Sequence, residues 1–416
     1  MTTTSPLSPH ARESVLLVIP WGLRQVGGVN QVVRRLATGL MAAPGWDAHV
    51  MVSREPDAID RVTSAALPTT YLRLSGPFEG RDRWRGVGSF LRRLPSRLRS
   101  LRGLLAAGGY RIVNVHYPSL ASLHFVLLRA LGLWPHQLVL SFHLSDAQQA
   151  ADTTGSERAL WRLLLRAADA IVIPSADLAT RLEAIAPGIT QSITVIPNGV
   201  DVAEFERVTP LPPGLPAHLR DRPLVASVGL FGPRKGHADL LDAIARLKAA
   251  FPTLGALIIG ADAPYRAELE ARRHALGLEQ DVAFFPDVPH AELPAFLHAA
   301  TIFALATRAE TFCIAILEAG AAGLPVVSTR APGVVEVVRD TETALLCPIG
   351  DVPALADAIR RLLEDPDEAR AMAARFKGEI ARGLTWTHHH ERYLALYRSL
   401  TPPTDHRAAP RRAFGR

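Results

Sequence analysis

The sequence predicts an α/β protein built as two Rossmann-like, doubly wound domains that face each other across a cleft. Three observations predict it. Short apolar runs alternate with longer helical patterns along most of the 416 residues, which is the grammar of βαβ units and parallel sheets. Most of those runs are continuously apolar, as strands covered on both faces require. The series breaks once, between Asp201 and Pro223, where Pro210, Pro212, Pro213 and Pro216 crowd an aperiodic stretch, Val208 to Arg222, that reads as a linker. At roughly 150 residues per domain the length also calls for two or three units.

Before the break the expected strands are Val15–Pro20, Ala48–Ser53, Thr70–Leu74, Ile112–His116, Leu138–His143, Ala170–Pro174 and Ile193–Pro197. After it they are Leu224–Gly229, Ala256–Ala261, Val282–Phe285, Thr301–Ala306, Val326–Thr329 and Ala344–Cys347. Helical patterns from Val352 to Glu364 and from Thr387 to Leu400 close the chain. The expected division is residues 1–205 for a first domain, 206–380 for a second, 381–400 for a helix packing back on the first, and 401–416 for a disordered Pro- and Arg-rich tail. A ligand belongs in the crevice facing the carboxyl ends of both sets of strands.

Composition narrows the function classes. With 48 % hydrophobic and 21 % charged residues the chain is neither fibrous nor wholly disordered. Its net charge is +6, which suits phosphate-bearing ligands or an anionic surface without naming either. Only Lys235, Lys248 and Lys377 of the 46 basic residues are lysines. Two cysteines, Cys313 and Cys347, build no disulfide framework, so a reduced, cytoplasmic setting is expected. The runs Val15–Trp21 and Leu120–Trp134 are too short or too interrupted to span a membrane.

Three stretches carry chemistry. After the first strand, Gly27-Gly28 opens the helical pattern Gln31–Leu40, and paired glycines there let an anion approach backbone N–H groups, although a simple turn explains them equally. In Gly229-Leu230-Phe231-Gly232-Pro233-Arg234-Lys235-Gly236 two adjacent cations follow a strand in a Gly/Pro loop, as a phosphate clamp would or as a solvated loop would. The sharpest stretch runs from Ala306 to Gly320: Glu310 in the loop, Thr311 able to cap, and Glu318 two turns into an apolar helix. A carboxylate there needs a partner or a ligand, and the N–H groups of Phe312 and Cys313 would face the same cleft.

Glu310-x7-Glu318, Ala319-Gly320-Ala321-Ala322-Gly323-Leu324-Pro325 and Pro332-Gly333-Val334-Val335-Glu336 together resemble the retaining glycosyltransferases of family 4 (glycosyl transferases group 1), which have the GT-B fold. Asn198-Gly199-Val200-Asp201, Arg234-Lys235-Gly236, Gly27-Gly28 and the Trp386 to His389 region support the resemblance, which extends from Val15 to about Leu400. It implies a nucleotide-sugar donor on the second domain, serving as co-substrate with no further cofactor and no metal. The acceptor hydroxyl, of a glycan, a lipid-linked saccharide or a small molecule, would sit on the first. It further implies that Glu318 binds the ribose hydroxyls, Glu310 the sugar, Lys235 with the N–H groups of Phe312 and Cys313 the departing diphosphate, that His143 is the active-site histidine, and that Gly27 and Gly28 admit donor or acceptor. Preorganised cations and N–H donors would stabilise the leaving group.

Two positions depart from the family pattern. Leu230 stands where an arginine is usual, and Arg234 is expected to compensate; Cys313 stands where glycine is common. Other enzymes and binders share the architecture, so a nucleotide-sugar epimerase and a catalytically silent sugar-nucleotide-binding protein are the rival readings. Asp365-Pro366-Asp367 reads as a linker and helix cap rather than a metal motif. His388, His389 and His390 point about 100° apart on a helix and cannot share one ion. Arg81, Arg83, Arg85, Arg92, Arg93, Arg97, Arg99 and Arg102, interleaved with apolar residues, suit either an anionic membrane surface at the inner face of the cell membrane or a solvated helix face. No recognition motif for nucleic acid accompanies that charge.

Overall fold

In the computed structural model, which describes residues 12–23, 28–55, 67–79, 83–207 and 210–401, the described strands form two sheets with every pairing parallel. The first holds β1 (Glu13–Ile19), β2 (Trp46–Val52), β3 (Thr69–Tyr71), β4 (Ile112–His116), β5 (Gln137–Ser141), β6 (Ala170–Ile173) and β7 (Ile193–Val195), in the order β3-β2-β1-β4-β5-β6-β7. The second holds β8 (Leu224–Val228), β9 (Gly255–Gly260), β10 (Val282–Pro286), β11 (Ile302–Leu305), β12 (Val326–Thr329) and β13 (Leu345–Cys347), in the order β10-β9-β8-β11-β12-β13. Both orders reverse beside their first strand, between β1 and β4 and between β8 and β11. At such a switch point the connections leave in opposite directions and open a crevice at the carboxyl ends.

Helices α1 (Gly28–Ala42), α2 (Arg83–Gly108), α3 (Leu123–Ala130), α4 (Ser145–Ala151), α5 (Gly155–Ala167), α6 (Asp177–Ile185) and α7 (Val202–Glu206) precede β8. They are followed by α8 (His237–Leu247), α9 (Arg266–Ala275), α10 (Leu293–His298), α11 (Ile314–Ala321), α12 (Pro332–Val335), α13 (Val352–Glu364), α14 (Pro366–Gly383) and α15 (Trp386–Leu400). Each sheet is covered on both faces. Leu16, Val113 and Leu140 pack under the α2 to α6 layer, and Val15, Leu17 and Val139 under α1 and α15. In the second sheet Leu257 and Phe303 face α11 and α14, while Val225 and Ile258 face α8 and α13. This double burial is why the strands read as continuous apolar runs.

β3 stops three residues short of the expected Leu74. It pairs with β2 only over Thr69–Tyr71, and the Leu74 N–H donates to the Ser53 Oγ at 3.3 Å instead of to a ladder carbonyl. Asp365 caps α14 by accepting from the Glu368 N–H at 2.9 Å, with Pro366 at the first helical position, where a missing N–H is harmless.

The chain crosses between the sheets twice, side by side. The Val200 N–H donates to the Leu384 carbonyl at 3.0 Å and the Trp386 N–H to the Val200 carbonyl at 3.3 Å. Beyond this point α15 lies on the first sheet, burying Tyr393 and Tyr397 among Val15, Leu17 and Val33. Buried hydroxyls need partners: Asn114 on β4 donates to Tyr397 Oη at 2.8 Å, and Ser141 Oγ lies 3.1 Å from Tyr393 Oη.

Candidate active site

The loop after β8 is shaped by its glycines and its lysine. Pro233–Lys235 is a single 3-10 turn ending at Gly236, whose φ is +67°. A Cβ there would lie 1.8 Å from the Ala306 carbonyl oxygen, so only glycine lets this loop press on the end of β11. The Arg308 N–H donates to the Arg234 carbonyl at 2.8 Å, closing the contact. A Cβ on Gly229 would meet the Lys235 stem at about 3 Å (2.9 Å to its Cδ); the missing side chain is the channel through which the lysine reaches inward.

Lys235 Nζ donates to Glu310 Oε1 at 2.6 Å, and the two side chains are only 14 % and 8 % exposed. Burial by itself lowers the lysine pKa, but the charge of Glu310 and its hydrogen bond outweigh burial, and the net shift is upward. Thr307 Oγ1 also donates to Glu310 Oε1, at 3.1 Å. Arg234 lies over the same carboxylate, 3.7 Å from Oε2, while donating to the Ala309 carbonyl at 2.9 Å. Leu230 is 48 % exposed.

α11 begins at Ile314, so Glu318 stands one turn into the helix rather than the expected two. Thr311 does not cap it either. Cys313 occupies the N-cap position without a side-chain bond, and the Thr311 hydroxyl donates instead to the His143 carbonyl in the opposite domain. The N–H groups of Phe312 and Cys313 donate to no protein acceptor among the described residues, which leaves them for a ligand at the positive end of α11. Burial, reinforced by the Glu310 charge and opposed by Lys235, pushes the Cys313 thiol up to about 12; it is a neutral wall.

The partner that Glu318 needs is His290, in the turn after β10. Its Nε2 lies 2.8 Å from Glu318 Oε1, and its Nδ1 lies 3.4 Å from Glu204 Oε1. From α1 the Gln31 amide nitrogen reaches Glu318 Oε1 at 3.4 Å across the cleft. Nothing in the sequence marked His290 or Gln31, because their proximity to Glu318 arises only when β10, α11 and α1 converge.

On the opposite wall His143 follows β5. Asp146 accepts from its backbone N–H at 3.0 Å and from that of Leu144 at 2.8 Å, holding the loop. The His143 ring, whose Nε2 is 3.2 Å from His116 Nδ1, has its pKa lowered to about 4 by burial. A Cβ on Gly28 would sit 3.5 Å from Ile314 Cδ1, so the start of α1 meets the start of α11. Gly27 lies outside the described residues, as does Arg81. The fold thus gathers Arg234, Lys235, Glu310, Phe312, Cys313 and Glu318 on one wall, and brings His143 and Gly28 against it through Thr311 and Ile314. In α15, His388, His389 and His390 are separated: His389 Nδ1 lies 2.8 Å from the Pro197 carbonyl, and His388 Nδ1 lies 2.7 Å from the Thr385 hydroxyl.

The chain matches two family models, described as Glycosyltransferase Family 4 over residues 26–204 and Glycosyl transferases group 1 over residues 216–378. It is 30 % identical over 384 residues to a phosphatidyl-myo-inositol mannosyltransferase of Mycolicibacterium smegmatis, covering 90 % of this chain and 89 % of that protein. Identity to a D-inositol 3-phosphate glycosyltransferase of Mycobacterium avium is 28 %, over 91 % of this chain and 90 % of the relative. Among solved structures, a sucrose-phosphate synthase from Thermosynechococcus elongatus superposes with a TM-score of 0.74 at 25 % identity, over 94 % of this chain and 99 % of the other. Anabaena HepE in complex with UDP and glucose superposes with a TM-score of 0.73 at 18 % identity, over 93 % and 100 %.

Proposed function

Because the chain belongs to glycosyltransferase family 4, with the GT-B arrangement of two facing doubly wound domains, we propose that it moves a sugar from a nucleotide-sugar to an acceptor hydroxyl with retention of configuration. That it is a glycosyltransferase follows from membership; the donor class, the stereochemistry and the residue roles are the proposal. The observation that carries them is the buried Lys235–Glu310 pair beside the free N–H groups of Phe312 and Cys313.

In this reading Lys235 and the two N–H groups meet the charge that builds on the diphosphate as the sugar leaves. Cations and dipoles already in place stabilise that charge without reorganising, so no metal is called for. Glu310 exchanges its lysine for sugar hydroxyls, Glu318 takes the ribose hydroxyls, and Arg234 supplies the second cation that Leu230 lacks. His143, uncharged at neutral pH, lines the sugar side. The acceptor hydroxyl enters from the first domain, near Gly28, and attacks the face from which the diphosphate departs.

The M. smegmatis relative is by name an enzyme acting on a phosphatidyl lipid, and α2 supports a lipid-linked acceptor here. Phe90, Leu101 and Leu105 bury the apolar side of α2, while Arg92, Arg93, Arg99 and Arg102 are exposed beside Leu91, itself 59 % exposed. No helix among the described residues is long and apolar enough to cross a membrane. We infer from the exposed arginines of α2 that the chain docks peripherally on an anionic membrane face, on the cytoplasmic side. A thermal-shift screen of nucleotide-sugars tests the donor class, since a ligand stabilises only the fold that binds it. A rise in melting temperature with one donor, lost in Lys235→Ala, is expected; no response to any donor overturns the reading.

A further inference from the structure

Glu318 is 4 % exposed on an otherwise apolar helix, and a buried carboxylate without a counter-charge is expensive. The structure supplies that counter-charge from a residue outside the family motifs. Both ring nitrogens of His290 face carboxylates, Nε2 that of Glu318 at 2.8 Å, with the Gln31 amide nitrogen also 3.1 Å from it, and Nδ1 that of Glu204 at 3.4 Å; the ring meets Phe205 near-perpendicularly with centroids 5.9 Å apart. A ring held at both nitrogens has one orientation. The contacts of Glu318 with His290 and Gln31 fall on Oε1 alone, which leaves Oε2 for a ligand.

We propose that His290 is a positioning residue for the donor: it grips Glu318 Oε1 and thereby presents Oε2 to the ribose hydroxyls of a nucleoside diphosphate sugar. The inference rests on the reading of Glu318 as the ribose ligand. Charge supports the geometry. Burial alone lowers the His290 pKa, but the hydrogen bond to Glu318 and the charges of Glu318 and Glu204 outweigh both burial and the Arg35 guanidinium, and the net shift is upward. Arg35 on α1 in turn pairs with Glu204 at 2.5 Å, so Glu318, Glu204 and Arg35 are the charged groups facing the ring from α11, α7 and α1. The imidazolium is a charge-assisted donor to Glu318 that is lost as pH rises through its raised value.

The test uses the full chain, titrated calorimetrically with UDP, GDP and ADP and with their 2′-deoxy counterparts, from about pH 6 to about pH 9. The ratio of ribose to deoxyribose affinity is read for the wild type, Glu318→Gln, His290→Ala and His290→Gln. The expected result is that Glu318→Gln abolishes the ratio and His290→Ala lowers it about fivefold or more. The wild-type affinity falls with rising pH, and both His290 variants lose that dependence. If His290→Ala keeps the wild-type ratio and pH profile while Glu318→Gln abolishes the ratio, the inference is overturned and the ribose reading stands. If Glu318→Gln leaves the ratio intact, or no nucleoside diphosphate binds, the ribose reading fails and the inference with it. Should His290→Ala fold poorly, His290→Gln carries the pH arm, because it keeps a donor but no titratable charge.

Discussion

At the residue scale, the arrangement around Glu310 sets the relative importance of the two cations. Lys235 is buried and bonded directly to the carboxylate, whereas Arg234 is 46 % exposed and 3.7 Å away. An exposed cation is screened and a buried one is not, so Lys235→Ala should cost turnover about 100-fold or more and Arg234→Ala about tenfold. Steady-state donor kinetics check both values; an inert Arg234→Ala beside a dead Lys235→Ala would remove the idea that Arg234 replaces the arginine absent at Leu230. Buried histidines govern the acid limit. Burial lowers His143 and His237 to about 4 and His389 to about 3, so between those values and the ordinary histidine range the unfolded chain binds more protons. Stability is then lost as pH falls through that window. Asp146, raised to about 6 by burial, acts oppositely, since its contribution is present at low pH and lost as pH rises through 6. His116, also lowered by burial, adds to the first group and His290, raised by its carboxylates, to the second; four histidines outweigh one carboxyl and one histidine, and the urea midpoint should fall from pH 7 to pH 5. A midpoint that rises would contradict the assignment of these histidines as neutral.

At the element scale, the loops at the strand ends are held by backbone fit. Gly236 joins a positive φ to a contact that a Cβ would bring to 1.8 Å of the Ala306 oxygen. Gly236→Ala must displace the turn that carries Arg234 and Lys235. A drop in melting temperature together with weaker nucleotide binding is expected in a thermal-shift titration; unchanged binding would show that the turn does not position Lys235. For α2, co-sedimentation with vesicles should rise with anionic lipid and fall when Arg92, Arg93 and Arg99 are replaced by glutamine, whereas binding indifferent to lipid charge would mark the arginines as a solvated face. Elements of this kind were legible because each is local: continuous apolar runs announce doubly buried strands, and Asp365-Pro366 announces a helix start. Thr311 looks like a cap in the sequence, but its partner, the His143 carbonyl, lies 168 residues away. The apolar run reads on to Leu74 because Leu74 is buried, as a strand residue would be, yet its N–H is satisfied by a side chain and β3 ends at Tyr71.

At the scale of the whole molecule, two open sheets place their switch points face to face, and α15 returns across the crossover at Val200 to bury Tyr393 and Tyr397 in the first domain. The cleft therefore lies between walls joined by the double crossing, with Thr311, Gly28 and Gln31 as direct contacts between them. Residues contributed by motif are legible in the sequence because each lies in a local pattern: Glu310 and Glu318 along one loop and helix after β11, and Lys235 in the Gly/Pro loop after β8. His290 and Gln31 are not, since they reach Glu318 from 28 and 287 residues away and carry no local signature. In the proposed reaction this cleft transfers a sugar from a nucleotide-sugar using Lys235 and Glu310. The direct measurement is incubation with the donor that stabilises the chain, with and without acceptor, following nucleoside diphosphate release and the anomeric configuration of the product by NMR. Acceptor-dependent release, a product of retained configuration and a loss of about 100-fold in Lys235→Ala are expected. Release that ignores the acceptor, a product of inverted configuration, or full activity in Lys235→Ala would contradict it.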